Sequence, residues 1–387
     1  MTEYEQAFAN WLGVDHAYGF WKGRVALYAI LRGLGIGDGD EIVLPGYTCA
    51  MAVNPIIYLG AKPIFVDIEP ETYNIDPNQI ESKITPRTKL IIAQHTYGYP
   101  ADMDAIASIA QRRGLLLVED CCLALGSRYD GRLTGTQGVA AYFSFQWNKT
   151  YTSGLGGMAV AHRPELATRL RELQSESICP TTGEVMMLRL QLAIHRALIY
   201  PRTTALGQSV FRVLSKSGLA LGSSSREEYA PRMAEGFFKR MSDSQARSGI
   251  RQLRKLDENI AHRRRMTRAY DELLQEHGWP PPQLSARLNP ALSRYPVRVA
   301  DKKRLLGTAW RHLLELGSWF ESPIHHAAET SMEAYGYQAG MCPEAERASR
   351  EVINLPVHPR TNEATARRTV AMITRIGPAE RPEATGK

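Results

Sequence analysis

At 387 residues, with 44% apolar and 22% charged side chains, the chain has the composition of a globular protein long enough for two domains, and neither a disordered nor a fibrous one. Its formal charge of +7 suits anionic ligands, yet the basic residues are dispersed and form no nucleic-acid module. No apolar run reaches bilayer length, and Met1–Trp11 carries Glu3 and Glu5, unlike a secretory leader; the five cysteines (Cys49, Cys121, Cys122, Cys179, Cys342) are odd in number and lack metal spacing, as expected of reduced thiols in the cytoplasm.

In chain order, residues 1–18 are expected to form a helix carrying Tyr4, Phe8, Trp11 and Leu12. Gly23 then opens a helix with apolar spacing from Arg24 to Leu31, and a glycine at a helix start lets backbone N–H groups approach a phosphate. Ile42–Leu44 reads as a short strand before Pro45-Gly46-Tyr47-Thr48-Cys49. Strand and helix alternate through Pro63–Ile68, a helix capped by Asp76-Pro77, Lys89–Ala93, Asp102–Arg113 and Leu115–Asp120. Such alternation implies a mostly parallel sheet covered by helices, an α/β fold. Asp67 and His95, at strand ends, read as structural hydrogen-bonders.

The chemistry concentrates between Leu115 and Gly157. The apolar run Leu115–Val118 ends in Glu119-Asp120, a second run from Val139 to Phe145 ends beside Ser144, and Lys149 precedes Ser153-Gly154-Leu155-Gly156-Gly157. Open α/β sheets bind ligands beyond the carboxyl ends of their strands. A carboxylate, a hydroxyl and an amine gathered there suit pyridoxal phosphate: the amine holds the aldehyde as a Schiff base, the carboxylate keeps the pyridine nitrogen protonated, and hydroxyl and backbone N–H groups hold the phosphate. Taken singly, Lys149 also reads as a solvated loop residue and Asp120 as a helix cap.

The stretch Val118-Glu119-Asp120, Gly126, Gly135, Ser144-Phe145, Lys149 and Gly154-x-Gly156-Gly157 resembles the StrS/DegT-type nucleotide-sugar aminotransferases, with further matching wording at Gln94–Gly98 and Pro100–Met103. The resemblance implies a fold type I pyridoxal-phosphate enzyme, and the residue patterns divide it into a large domain over residues 1–249, a long connecting helix of about Ser244–Leu274 rich in i,i+4 charge pairs with a smaller α+β domain over 250–380, and a disordered tail at 381–387. It places the Schiff base on Lys149, the pyridine contact on Asp120 and phosphate contacts on Ser144 and on Gly23, Arg24 and Val25 at the helix start. Cys49 and Leu123 take positions beside the cofactor ring, Arg240 lies in a segment that reaches the neighbouring subunit's site, and Tyr47 and His325 are candidate substrate contacts. It further implies a homodimer with shared sites, a keto sugar on a nucleotide as acceptor and an amino acid, glutamate, as donor.

Several positions depart from the family wording. Arg24 stands where a Thr is usual, Cys49 for an aromatic ring, Leu123 for Gln or His, Leu155 for Glu, and Phe238 for Asn. Arg24 is expected to compensate by pairing with the phosphate directly. Residues 180–230 form an unexpected basic, amphipathic insertion, read as a helix packed on its own protein or a partner in preference to a membrane surface. Two rival functions stay open: the same chemistry on a carbocyclic ketone, and a non-catalytic binding or regulatory protein on the same fold.

Overall fold

The structure, a computed structural model, describes residues 2–198, 227–312 and 314–379. A seven-stranded sheet forms the core, from β1 (His16–Phe20), β2 (Glu41–Pro45), β3 (Lys62–Val66), β4 (Thr88–Gln94), β5 (Leu116–Asp120), β6 (Ala140–Ser144) and β7 (Gly157–Ala161). Their spatial order is β1-β7-β6-β5-β4-β2-β3. Strands β2 to β6 run parallel, while β7 and β1 add antiparallel at one edge. The parallel strands are near-continuous Val, Ile, Leu and Ala because helices cover both faces.

The N-terminus departs from the expected helix over residues 1–18. Helix α1 (Glu3–Leu12) begins at a capping box of Thr2 and Glu5 and stops at left-handed Gly13; the chain then becomes edge strand β1. The helix pattern carried past Gly13 because Ala17, Tyr18 and Phe20 are apolar, but they are buried as strand residues. Helix α2 (Gly23–Gly33) follows, packed across β6 and β7.

Beyond residue 226 the expected single connecting helix is two, α3 (Asp243–Leu253) and α4 (Leu256–Gln275), separated at Arg254-Lys255. A second capping box, Ser242 with Gln245, starts α3, and Gln245 also donates to the carbonyls of Trp21 and Leu155. The C-terminal part carries a two-stranded pair, β8 (Tyr295–Arg298) with β9 (Val352–Leu355), and ends on the helix Glu363–Ile373. Ile324-His325 pairs in parallel with Thr48-Cys49, so this part lies directly against the strand ends of the large sheet. The first half of the insertion is the helix Thr182–Leu198, whose Leu188 and Leu192 pack on Trp21 and Leu155; its Met186, Leu190 and Ile194 are exposed. Residues 199–226 of the insertion and the expected disordered tail lie outside the described residues, and the insertion ends in a 3-10 turn at Glu227–Tyr229. No described helix is long and apolar enough to cross a membrane.

Candidate active site

The ends of β4 and β5, the Lys149 loop, Cys49 and the Trp319-Phe320 segment enclose a cavity lined by Asp120, Lys149, Cys49, Leu123, Trp319 and Phe320 among others. Asp120 closes β5 and is almost fully buried. Its Oδ1 accepts from Cys122 N (2.9 Å) and its Oδ2 from the Tyr142 hydroxyl (2.5 Å), both charge-assisted bonds in a low-dielectric setting. Burial, and then the Asp120 charge, push the Tyr142 hydroxyl well above its ordinary pKa, so it stays a donor. Next to it, Glu119 is buried and accepts from Gly135, Gln137 and Gly138 backbone N–H groups. Burial raises this carboxyl, but His95 and those amides outweigh it and hold it below the ordinary carboxylate range. His95 Nδ1 accepts from Ala101 N (3.0 Å), so Nε2 carries the proton toward Glu119 (3.1 Å). This is the structural role expected of His95.

The phosphate cradle is built by close approach. A Cβ on Gly23 would lie 2.9 Å from Ser144 Cβ, and one on Gly157 would lie 2.4 Å from the Lys22 carbonyl oxygen and 2.5 Å from Gly23 N. Glycine at both positions therefore lets the α2 N-terminus press onto the ends of β6 and β7, beside Ser144. The residue before α2, Lys22, supplies no side-chain cap, and helix N-termini of this kind receive anions. Lys149 follows in the loop after β6. Among the described residues its Nζ makes no hydrogen bond or ion pair and sits over the Trp319 ring, 4.7 Å from the centroid. A free amine, a fully hydrogen-bonded buried carboxylate and a glycine-made anion cradle around one cavity fit pyridoxal phosphate.

The remaining expected residues are placed as follows. Cys49 lies where the charges of Lys149, Arg24 and Asp120 all reach it, and burial keeps it a thiol by raising its pKa. Leu123 lines the cavity as an apolar wall. Val25 is buried in the first turn of α2. Arg24 is 5% exposed, and its Nη1 donates to Glu228 Oε1 at 2.6 Å, while Lys22 reaches the other carboxylate oxygen at 3.3 Å. Burial, then the neighbouring Arg24 charge, lower Lys22 to about 8. Phe238 packs against Phe20 and Tyr28 of its own chain, Arg240 Nε donates to the Ser177 carbonyl, and Lys239 pairs with Glu184 at 2.6 Å. Tyr47 is fully buried, bonded to Tyr97 (2.8 Å) and packed on Phe320, inside an aromatic cluster behind the cavity. His325 is 4% exposed with Nδ1 accepting from Glu321 N; burial, then His326, keep it neutral by lowering its pKa well below the ordinary value.

Four residues of this neighbourhood escaped the sequence reading: Tyr142, Glu228, Trp319 and Arg294. Tyr142 looked like one more apolar strand residue, although its registration opposite Asp120 across β5 and β6 brings the two together. Glu228 fell at the end of a polar loop with nothing to name its partner. A buried Arg24 without a phosphate demanded some carboxylate, and that was its one available signal.

A family model for the DegT/DnrJ/EryC1/StrS aminotransferase family matches residues 1–190 and 206–374. The GDP-perosamine synthase of Caulobacter vibrioides is 31% identical over 381 residues, covering 97% of this chain and 90% of its own. The dTDP-3-amino-3,4,6-trideoxy-alpha-D-glucose transaminase of Micromonospora megalomicea is 29% identical, covering 93% of this chain and 84% of its own. Among solved structures, DesV of S. venezuelae in complex with a ketimine intermediate superimposes with a TM-score of 0.74 at 29% identity, over 96% of this chain and 87% of that one. The fold is thus that of the fold type I pyridoxal-phosphate enzymes, and the non-catalytic reading gives way to an enzyme. The chain belongs to the DegT/DnrJ/EryC1/StrS aminotransferase family, whose cofactor is pyridoxal phosphate.

Proposed function

We propose that this chain transfers an amino group from an amino acid, glutamate, to a keto sugar carried on a nucleotide, making an amino sugar for surface polysaccharide or secondary-metabolite synthesis. The observation that carries it is the Lys149 amine left without a hydrogen-bond partner among the described residues, beside a buried Asp120 and the α2 cradle. Bound pyridoxal phosphate supplies the electron sink. Lys149 holds it covalently and then moves the proton at the donor's α-carbon. Asp120 holds a positive charge at the ring nitrogen, and Tyr142 and Cys122 N keep Asp120 aimed. Ser144 and the α2 start at Gly23, Arg24 and Val25 bind the phosphate end through the helix N-terminus and its dipole, with the Arg24 guanidinium held on Glu228. Trp319, Phe320, Cys49 and Leu123 wall the cavity and exclude water.

The same reading includes a cytoplasmic homodimer, residues 1–249 and 250–380 as two domains, and the Gly236–Ser242 segment with Arg240 contributing across the subunit boundary. Support comes from the free cysteines and from the segment's packing on Tyr28 of α2. Purified protein incubated with a panel of nucleotide-linked keto sugars and glutamate, read by mass spectrometry, tests it. An aminated sugar nucleotide supports the proposal; amination only of carbocyclic ketones replaces it with the rival acceptor class. Sedimentation of the holoenzyme reports the dimer.

A further inference from the structure

The cavity has a second wall that the cofactor does not account for. Trp319 stands beside Lys149, and the Arg294 guanidinium carbon lies 5.5 Å from the centroid of the same indole. Arg294 Nε, Trp319 Nε1 and Asn354 Nδ2 are all buried atoms with no hydrogen-bond partner among the described residues. Asn354 is fully buried, and its other side-chain atom, Oδ1, is already committed to Trp319 N at 2.6 Å. Arg294 also lies against Gly317 and Asn354: a Cβ on Gly317 would come 3.2 Å from Arg294 Nη1 and 3.2 Å from Asn354 Cβ. Arg294 and Trp319 thus bring two unpartnered donors together near the reacting amine, and Asn354 Nδ2 lies beside them, close to the Tyr97 hydroxyl.

The other cations near Lys149 are occupied. Arg24 and Lys22 share Glu228, and Lys302 donates to the carbonyls of Phe320 and Ser349. Glu315 shares the field of Arg294, but its carboxylate is bonded to His358 at 2.9 Å and forms no ion pair with Arg294 among the described residues. A group that satisfies several N–H donors at once, offers only acceptors and carries negative charge is a carboxylate or a phosphate, and of these the carboxylate is the one attached beside the reacting amine of an amino acid. The amino donor brings such a group to Lys149 at each turnover.

We propose that Arg294, with Trp319 Nε1 and Asn354 Nδ2, forms the subsite that binds a carboxylate of the amino donor. This rests on the aminotransferase reading above and deepens it by naming a donor contact. Both carboxylates of an acidic amino acid share the chemistry, and the donor set separates them.

The test follows the visible band of holoenzyme in single-turnover reaction with L-glutamate, 4-aminobutyrate (no α-carboxylate) and L-norvaline (no side-chain carboxylate). A parallel equilibrium titration uses 2-methylglutamate, which lacks the α-proton. In Arg294→Met the 2-methylglutamate constant is expected to rise about 10- to 100-fold. Of the two partial donors, the one still carrying the recognised carboxylate is to show the same rise and the other none. Arg294→Lys, which keeps charge but loses the planar fork, is to fall between parent and Met variant. Constants equal to the parent's in Arg294→Met overturn the subsite; should that variant not fold, an unchanged constant in Arg294→Lys does so. A parent enzyme bleached by no amino acid overturns the aminotransferase reading itself, which keeps the two failures apart.

Discussion

The two walls of the cavity are built on opposite principles. On the cofactor side, Asp120, Glu119, His95 and the α2 start are held by strand ends, backbone amides and glycine-permitted contacts, with each carboxylate oxygen of Asp120 and Glu119 accepting at least one bond. On the far side, Trp319, Arg294 and His325 are held by ring packing, and donors there are left over. The satisfied wall is organised before any ligand arrives, as a cofactor-binding surface needs; the unsatisfied wall is completed by what it binds. Under the proposed donor subsite, chemistry is set on one side and choice of amino donor on the other.

Substitutions can break or sharpen that contrast. Lys149→Ala is to abolish covalent cofactor attachment and to lower turnover by at least about 10⁴-fold, since both the attachment point and the proton carrier go. Borohydride reduction and peptide mapping of the parent should place the label on Lys149, and on no other lysine. Asp120→Asn removes the charge but keeps the shape, and a loss of about 10²- to 10³-fold in kcat is expected with the fold intact. Near-normal turnover would mean that the satisfied wall owes its order to packing alone.

Glu228→Gln probes the margin between the walls. It leaves Arg24 and Lys22 buried without their shared carboxylate, an expected loss of about 3–5 kcal/mol in apo-protein stability by denaturant titration. Added pyridoxal phosphate should recover more stability in this variant than in the parent if the two cations face the phosphate. Tyr142→Phe deletes one bond to Asp120, with about 1.5–3 kcal/mol at stake, and should weaken apo-enzyme affinity for the cofactor about tenfold or more. Equal affinity would show Cys122 N to suffice.

The smallest effect concerns pH and the far wall. His325 is kept neutral in the folded chain, with its pKa below the unfolded value, so the unfolded state takes up the proton first as pH falls under about 6.5. Stability should therefore decline on acidification from pH 7 to pH 5, by at most about 1.4 kcal/mol per unit from this group. His325→Asn, which can still accept from Glu321 N, is expected to flatten that slope in thermal melts; an unchanged slope assigns the acid sensitivity elsewhere.

How much of this was legible in the sequence follows the same division. The parallel sheet, Asp120 and the glycine-lined turn after Lys149 could be read because strand periodicity, a charge closing an apolar run and glycine clusters are local signals. The helix over residues 1–18 was overextended because apolar spacing continues beyond Gly13, where tertiary pairing with β7 takes over. The single connecting helix was overextended likewise, its charge pairs running unbroken through Arg254-Lys255. Arg24 was legible as an anomaly, whereas its carboxylate partner comes from 204 residues away. Trp319 meets Lys149, and Arg294 meets Trp319, through side-chain packing between distant segments, for which no spacing rule exists.

The insertion helix closes the matter of where this enzyme can be altered. Gly154, at φ +91° in the loop that follows Lys149, has no room for a side chain: a Cβ there would stand 2.7 Å from Leu188 Cδ1. Helix and loop are therefore fitted like a latch and its plate. An engineer who trims residues 182–198, or exchanges them for another loop, also removes the surface against which the Lys149 turn is seated. A transplanted segment will serve only if it returns leucine-sized side chains to positions 188 and 192.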